Sequence, residues 1–252
     1  MEVVGLVRGN EGVPDRRVAA LVAAFGGKLI PRRQSHCATR TADVVVQAGY
    51  WMNPALATAM RQRKPILIIE NGIWEQQPSV FTLGWNGLHG LATRPAPGTE
   101  PRPHPRLRPM KTAGNTLLIG QKPGDMALRG LDIDEWIERK MVEYPDVVYR
   151  PHPKVTASKE PLETALKRAH TVVTYTSTVG PQALIAGCHT IAEHPGSLAY
   201  GVTDREEWIH WLSYVQWELH EVGQAARHML RGLDQAAADA KAGRYETWVS
   251  RS

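Results

Sequence analysis

The chain has 252 residues, of which 42% are hydrophobic and 22% charged, values ordinary for a globular enzyme. That length suits one large domain or two of about 110–140 residues. No run of about 18 apolar residues is present, which excludes a membrane-spanning helix, and the two cysteines, Cys37 and Cys188, lie in different halves, which argues against a disulfide framework or a structural zinc site.

The first residues, Met1-Glu2-Val3-Val4, enter a strand directly, over Glu2–Val7. There is no basic leader followed by an apolar segment, so a reducing cytoplasm is the expected compartment. The strand ends at Gly9-Asn10-Glu11-Gly12, and helical periodicity over Arg16–Phe25 stops at Gly26-Gly27. Short apolar strands follow at Lys28–Ile30, Asp43–Gln47 and Pro65–Glu70, with a helix over Pro54–Arg63 that has proline in its first turn. This β-α-β rhythm predicts a parallel sheet with helical crossovers. Gly84-Trp85-Asn86-Gly87-Leu88-His89-Gly90 reads as a glycine-spaced loop. Six prolines (Pro95, Pro97, Pro101, Pro103, Pro105 and Pro109) then make an extended linker over about 94–110.

The rhythm restarts with strands at Asn115–Ile119, Asp146–Tyr149, Thr171–Tyr175 and His189–Ala192, separated by helices at Ile133–Glu143, Leu162–Ala169 and Val179–Ala186. Asp204 is placed to cap a long helix carrying Trp208, Trp211, Leu212, Val215 and Leu219, whose spacing reads as core packing. A last amphipathic helix is expected over Gln224–Ala242. The expected fold is therefore α/β, with two small Rossmann-like doubly wound domains: residues 1–110, including the linker, and residues 111–252, including the C-terminal helices.

The richest chemistry lies between residues 149 and 193. Tyr149-Arg150-Pro151-His152-Pro153-Lys154 leaves one strand, and Tyr175-Thr176-Ser177-Thr178-Val179-Gly180 leaves the next. Ligands of α/β sheets bind at the carboxyl ends of strands. Prolines on both sides of His152 stiffen its loop. Arg150 and Lys154 offer charge-assisted bonds to phosphate. Three hydroxyls at a helix start exceed what one cap needs and suit an anion. Gly120-Gln121-Lys122 follows the first strand of this half without matching a Walker or dinucleotide fingerprint, which disfavours kinase and dehydrogenase readings. Glu193 ends the last strand and is a candidate for a ribose or sugar hydroxyl.

The two-domain layout resembles the GT-B glycosyltransferases, whose two Rossmann-like domains face each other across a cleft. The His152-Pro153 and Ser177-Thr178 pairs are similar to the His-Pro and Ser-Ser/Thr motifs of bacterial sialyltransferases. Arg150-Pro151-His152-Pro153 is similar to the signature of capsule-type Kdo transferases. The segment around Trp85-Asn86-Gly87-Leu88, with Glu218, resembles compact phage glycosyltransferases that modify DNA. These resemblances imply that His152, Ser177 and Thr178 contact the phosphate of a UDP-sugar or CMP-sugar co-substrate, with Gly120, Gln121, Lys122, Arg150, Lys154, Thr176 and Glu193 around it. No tightly bound cofactor and no metal are expected.

In an inverting transfer a carboxylate takes the acceptor's proton, and Glu70, after a buried strand, is the candidate catalytic base, with Glu11, Glu75 and His89 as rivals. Residues 1–112 carry 15 basic and 7 acidic side chains, net +8, while residues 113–252 carry 15 and 18, net −3. A polyanionic partner follows for the first half, with Arg32, Arg33, Arg40, Arg61, Arg63 and Lys64 for backbone phosphates of double-stranded DNA. Trp85, Asn86, Trp51 and Trp74 are candidates near a flipped base. The leading expectation is transfer of a sugar to a hydroxymethylated pyrimidine, 5-hydroxymethylcytosine, in phage DNA, in an infected bacterial host. Transfer to a surface polysaccharide or lipid, and a nucleotide-sugar epimerase, are the alternatives.

Overall fold

The computed structural model describes residues 1–245 except 9–11, 32–34, 51, 75, 76 and 159. Arg32, Arg33, Trp51, Glu11 and Glu75 therefore lie outside the described residues. The chain forms two compact units, Met1–Pro103 joined by the segment from His210 onward, and His104–Ile209.

In the first unit, β1 (Val3–Val7), β2 (Lys28–Pro31), β3 (Val44–Ala48) and β4 (Ile66–Asn71) pair in parallel. They are connected through α1 (Val13–Ala24), α2 (Ser35–Thr41) and α3 (Pro54–Arg61). β1, β3 and the first four residues of β4 are buried nearly throughout, because helical crossovers cover both faces of the sheet there, while the edge strand β2 is largely exposed. Gly5 has no alternative in β1: a Cβ there would lie 2.4 Å from Val22 Cγ2 of α1. Asn53 caps α3, accepting a hydrogen bond from the Leu56 N–H at 3.0 Å, and Pro54 follows in the first turn.

β5 (Val80–Trp85) turns back antiparallel onto β4. The glycine-spaced stretch had suggested a loop from residue 84, but Gly84 and Trp85 belong to the strand. Residues 72–79 are too few for a helical crossover, so the chain can only return beside β4 as its antiparallel neighbour.

The second unit is a four-stranded parallel sheet in the order β7-β6-β8-β9, formed by β6 (Asn115–Ile119), β7 (Val148–Arg150), β8 (Ala169–Thr174) and β9 (His189–Ala192). Its crossover helices are α4 (Ile133–Glu143), α5 (Leu162–Arg168) and α6 (Val179–Ile185). Alternation decides the two cores. Leu117, Ile119 and Val172 pack with Leu166, Ala183 and Cys188, whereas Leu118 and Val173 face Ile133, Trp136 and Leu128.

Asp204 caps α7 (Arg205–Ser213), accepting from the Glu206 and Glu207 N–H groups at 2.9 and 3.0 Å. The long helix expected here ends early. β10 (Gln216–Glu218) joins β5 antiparallel, completing the first sheet in the order β10-β5-β4-β3-β1-β2. The segment from His210 was expected in the C-terminal domain; this pairing places it in the first unit instead. The last expected helix is two, α8 (Val222–Leu230) and α9 (Leu233–Lys241), broken at Gly232, where a Cβ would press on Pro95 Cδ at 2.9 Å.

Candidate functional site

The second sheet reverses its order between β6 and β8: β7 lies to one side of β6, and β8 and β9 to the other. Strand-end loops diverge at such a point and leave a crevice at the carboxyl edge. Gly120 and Gln121 leave β6, and Tyr175, Thr176 and Ser177 leave β8. The two loops are tied together. Gln121 Oε1 accepts from the Thr176 N–H at 2.8 Å, and Gln121 Nε2 donates to Thr176 Oγ1 at 2.9 Å. Thr176 Oγ1 also donates to the Ala127 carbonyl at 3.0 Å. Both side chains are buried. The sequence marked them as ligand contacts; here they are the framework that fixes the crevice.

The other residues picked from the sequence divide between framework and free groups. Arg150 turns back on its own loop, donating to Ser158 Oγ at 2.9 Å and to the Glu160 carbonyl at 2.8 Å. It braces the segment that carries His152. Gly120 lies close against β7: a Cβ there would meet the Tyr149 hydroxyl at 2.7 Å, so that side chain would have to shift. Ser177 performs the helix cap, its Oγ accepting from the Val179 N–H at 3.2 Å. Thr178 is half-buried and makes no capping bond.

His152 has the geometry of a donor. Its Nδ1 accepts from the Lys154 N–H at 3.1 Å, and its carbonyl accepts from the Val155 and Thr156 N–H groups. A neutral ring in that arrangement carries its proton on Nε2. Burial pushes the His152 pKa down, Lys154 and Lys122 push the same way, and Asp125 opposes them. The imidazole therefore stands within the electrostatic reach of two exposed lysines. Asp125 is held in place as the cap of a short 3-10 turn, accepting from Ala127 N at 2.9 Å.

Glu193 is already engaged. Its Oε2 accepts from Trp136 Nε1 at 2.8 Å and its Oε1 pairs with Lys140, which also pairs with Glu143. The carboxylate expected to meet a ribose or sugar hydroxyl is anchored to α4. Two further residues, given no role from the sequence, stand at the same edge. Tyr175 and His194 stack with ring centroids 5.0 Å apart, and Arg129, in the left-handed region at φ 52°, lowers the pKa of His194 and opposes the burial that raises Tyr175. The αL arginine next to Gly130 had no local motif to announce it.

In the first unit, Glu70 is the penultimate residue of β4. Its Oε2 accepts weakly from the Asn71 N–H at 3.3 Å, and Arg17 lies in its field. Arg17 is itself fixed by Asn71 Oδ1 and the carbonyls of Pro78 and Gln77. Of the groups expected to meet DNA, Trp85 and Asn86 are internal, while Arg40, Arg61 and Arg63 are exposed and Lys64 is half-buried. Trp85 is 1% exposed and donates its indole N–H to the Met229 carbonyl at 3.0 Å. Asn86 is buried at φ 58°, receiving the Ile66 N–H and donating to the Ala236 carbonyl. Both are structural, a correction to their expected role. Lys64 closes the end of α2, donating to the Thr39 and Arg40 carbonyls at 2.8 and 2.6 Å. Arg61 bonds Thr58 Oγ1, Arg63 lies against Gly243, and Arg40 is exposed.

Among the described residues, no group of three or more His, Cys, Asp or Glu side chains could hold a metal ion, and no helix is long and apolar enough to cross a membrane.

No family model matches the chain, and no curated protein does. Solved structures do. KpsC of Thermosulfurimonas dismutans, beta Kdo 2,4 transferase, aligns at TM-score 0.55 and 17% identity over 84% of this chain and 90% of its own. KpsC of the same organism, beta Kdo 2,7 transferase, aligns at TM-score 0.55 and 13% identity over 90% of this chain and 98% of its own. At such identities the likeness is one of fold: the chain is a mixed α/β protein of two Rossmann-like units with the GT-B fold.

Proposed function

We propose that the chain is a glycosyltransferase that holds the phosphate of a nucleotide sugar at the switch point of its second sheet. The observation that carries this reading is the grouping at that edge: His152 with its Nε2–H uncommitted, Lys122 and Lys154 near it, and the Ser177–Thr178 turn on the strand pinned by Gln121 and Thr176. In the transfer, an acceptor hydroxyl forms a bond to the anomeric carbon while the bond from that carbon to the phosphate oxygen breaks. Negative charge collects on the departing phosphate. The two lysines and the His152 Nε2–H are suited to offset it. The acceptor's proton goes to a carboxylate, for which Glu70 is our candidate.

The fold neighbours are named as beta Kdo transferases, so a CMP-activated acidic sugar is the donor we would try before UDP-sugars. For the acceptor we favour a saccharide or lipid-linked saccharide. The case for 5-hydroxymethylcytosine in DNA rested on Trp85, Asn86 and a basic cluster. With the first two buried and Lys64 bound to carbonyls, it retains only Arg40, Arg61 and Arg63 among the described residues.

The test is donor hydrolysis and transfer with CMP-Kdo, CMP-sialic acid and a panel of UDP-sugars, on oligosaccharide acceptors and on hydroxymethylated DNA. Release of one nucleotide with loss of that release in His152→Ala is the expected result. No turnover and no nucleotide binding with any donor would refute the reading.

A further inference from the structure

A second cavity lies wholly within the first unit. It has a volume of about 390 Å³ between the strap Glu100–Pro103 and the C-terminal half of α8 with its cap, which carry Arg227, His228 and Arg231. That volume falls in the range of about 300–1,000 Å³ typical of small-molecule sites, and exceeds what a single ion needs.

The strap is built in. The Tyr214 hydroxyl donates to the Glu100 carbonyl at 2.6 Å, and His210 Nε2 bonds the Gly98 carbonyl at 2.9 Å. Arg102 lies flat on Trp217, 3.6 Å from the ring centroid, and its guanidinium is occupied by the Ser213 and Gln216 carbonyls and by Glu221. The Arg102–Glu221 pair thus cancels its own charge and closes the floor.

The wall is different in character. Arg227 on α8 and Arg231, which caps its C-terminal end, stand four residues apart, both exposed at the rim. Neither forms an ion pair among the described residues. His228 is 5% exposed, stacked on Tyr214 and Trp217 at 5.1 and 5.4 Å. Its Nδ1 accepts from Arg231 Nη2, so the neutral ring carries a proton on Nε2. No described residue accepts that proton. Burial and the charges of Arg231 and Arg102 lower its pKa to about 4, which keeps the ring a neutral donor at physiological pH. The cavity therefore presents the Arg227 guanidinium, the Arg231 donors left over from its bond to His228, and the His228 Nε2–H, with the exposed Glu100 forming no ion pair among the described residues. Pro101, Pro103 and the edge of Tyr214 supply apolar contact beside them.

We propose that this cavity binds a compact anionic sugar, its carboxylate or phosphate oxygens taken by Arg227, Arg231 and the His228 Nε2–H, and its ring laid against Tyr214 and the prolines. A carboxylate or phosphate meets a pair of guanidinium groups with short charge-assisted bonds, and a neutral sugar offers nothing that these donors require. The site goes beyond the transfer reading and stands without it, because no residue of the second unit takes part.

The test is NMR of the full-length chain, following the His228 imidazole signals during titration with glucuronate, glucose 1-phosphate, inorganic phosphate and glucose. Saturable shifts with glucuronate or glucose 1-phosphate, and none with glucose, are expected; the tighter of the two identifies the anion. Arg227→Glu, at an exposed position, should weaken that binding at least tenfold with the remaining spectrum unchanged, and Arg227→Ala should weaken it less. His152→Ala should leave it intact whatever happens to nucleotide turnover. Equal shifts with glucose, shifts with inorganic phosphate alone, no shift at all, or unchanged binding in Arg227→Glu would each overturn the proposal.

Discussion

Gln121 and Thr176 bridge the two central strand ends of the second sheet with reciprocal hydrogen bonds, Thr176 N–H to Gln121 Oε1 at 2.8 Å and Gln121 Nε2 to Thr176 Oγ1 at 2.9 Å. They sit 55 residues apart in the chain and hold the crevice open at a fixed width. Thr176→Val keeps the shape and removes the hydroxyl, leaving Gln121 Nε2 and the Ala127 carbonyl without their partner. A buried group left unsatisfied costs about 1–3 kcal/mol. The denaturant midpoint should fall accordingly with an unchanged slope. A midpoint within error of the parent would mean that the pair does not brace the site.

His152→Ala and Lys154→Ala should each weaken nucleotide binding about tenfold, or ~1.4 kcal/mol, without lowering the melting temperature. Both side chains point away from the core, and neither makes a side-chain bond that holds the fold except the Lys154 N–H to His152 Nδ1. Arg150→Ala should behave in the opposite way. It frees the loop from Ser158 and Glu160, so the loss should appear in proteolysis of residues 151–161 as well as in affinity.

The architecture of the second unit was legible because its strands are short apolar runs and its helices have clear caps and stops. β6, α4 and β9 occur at the residues that periodicity gave, Asn115–Ile119, Ile133–Glu143 and His189–Ala192. The first unit was harder for a reason of local chemistry. β5 ends in Gly84-Trp85, a pair that reads as loop until the ladder to β4 exists to hold it. β10 is three residues long, too short for any alternation to show. Residue type does not show which of the candidate side chains the fold itself engages. Arg150, Thr176 and Glu193 carry the groups that phosphate and sugar need, and nothing in sequence reveals that Ser158, Gln121 and Lys140 have already taken them.

That competition predicts the behaviour of Glu193. Glu193→Gln still accepts from Trp136 Nε1, and Lys140 keeps Glu143 as a partner. Stability should drop by about 1 kcal/mol, toward the low end for a broken pair because one side remains compensated. Nucleotide affinity should stay within about twofold, since a change below ~0.4 kcal/mol is what loss of no direct contact implies. A tenfold loss measured by calorimetry would return Glu193 to the ligand.

Asn86 offers a stability test with no part in nucleic-acid recognition. Its side chain accepts the Ile66 N–H at 2.9 Å and donates to the Ala236 carbonyl at 2.8 Å, while its backbone sits at φ 58°. Alanine loses both bonds and tolerates the left-handed backbone less well. The cost should be about 2–4 kcal/mol. Retention of the folded variant on a DNA column should match the parent at every salt concentration; a weaker salt slope would revive a DNA-facing role.

His228 gives the fold a defined sensitivity to acid. Its pKa is about 4 in the folded protein, against an ordinary value of 6.5. The unfolded chain therefore binds a proton at a pH where the folded chain does not. Above pH ~6.5 both states are neutral at this site and the full stability is present. As the pH falls from there toward 4, protonation favours the unfolded chain, and stability is lost by about 3 kcal/mol over the window. The ring is almost fully buried, so solvent screening removes little of this. His228→Phe retains the stacking on Tyr214 and Trp217 but cannot titrate. It should start less stable at pH 7, because Arg231 loses its Nδ1 acceptor, and its stability should fall less between pH 6.5 and 4. Parallel profiles for the two proteins in urea melts across that range would show that acid acts elsewhere.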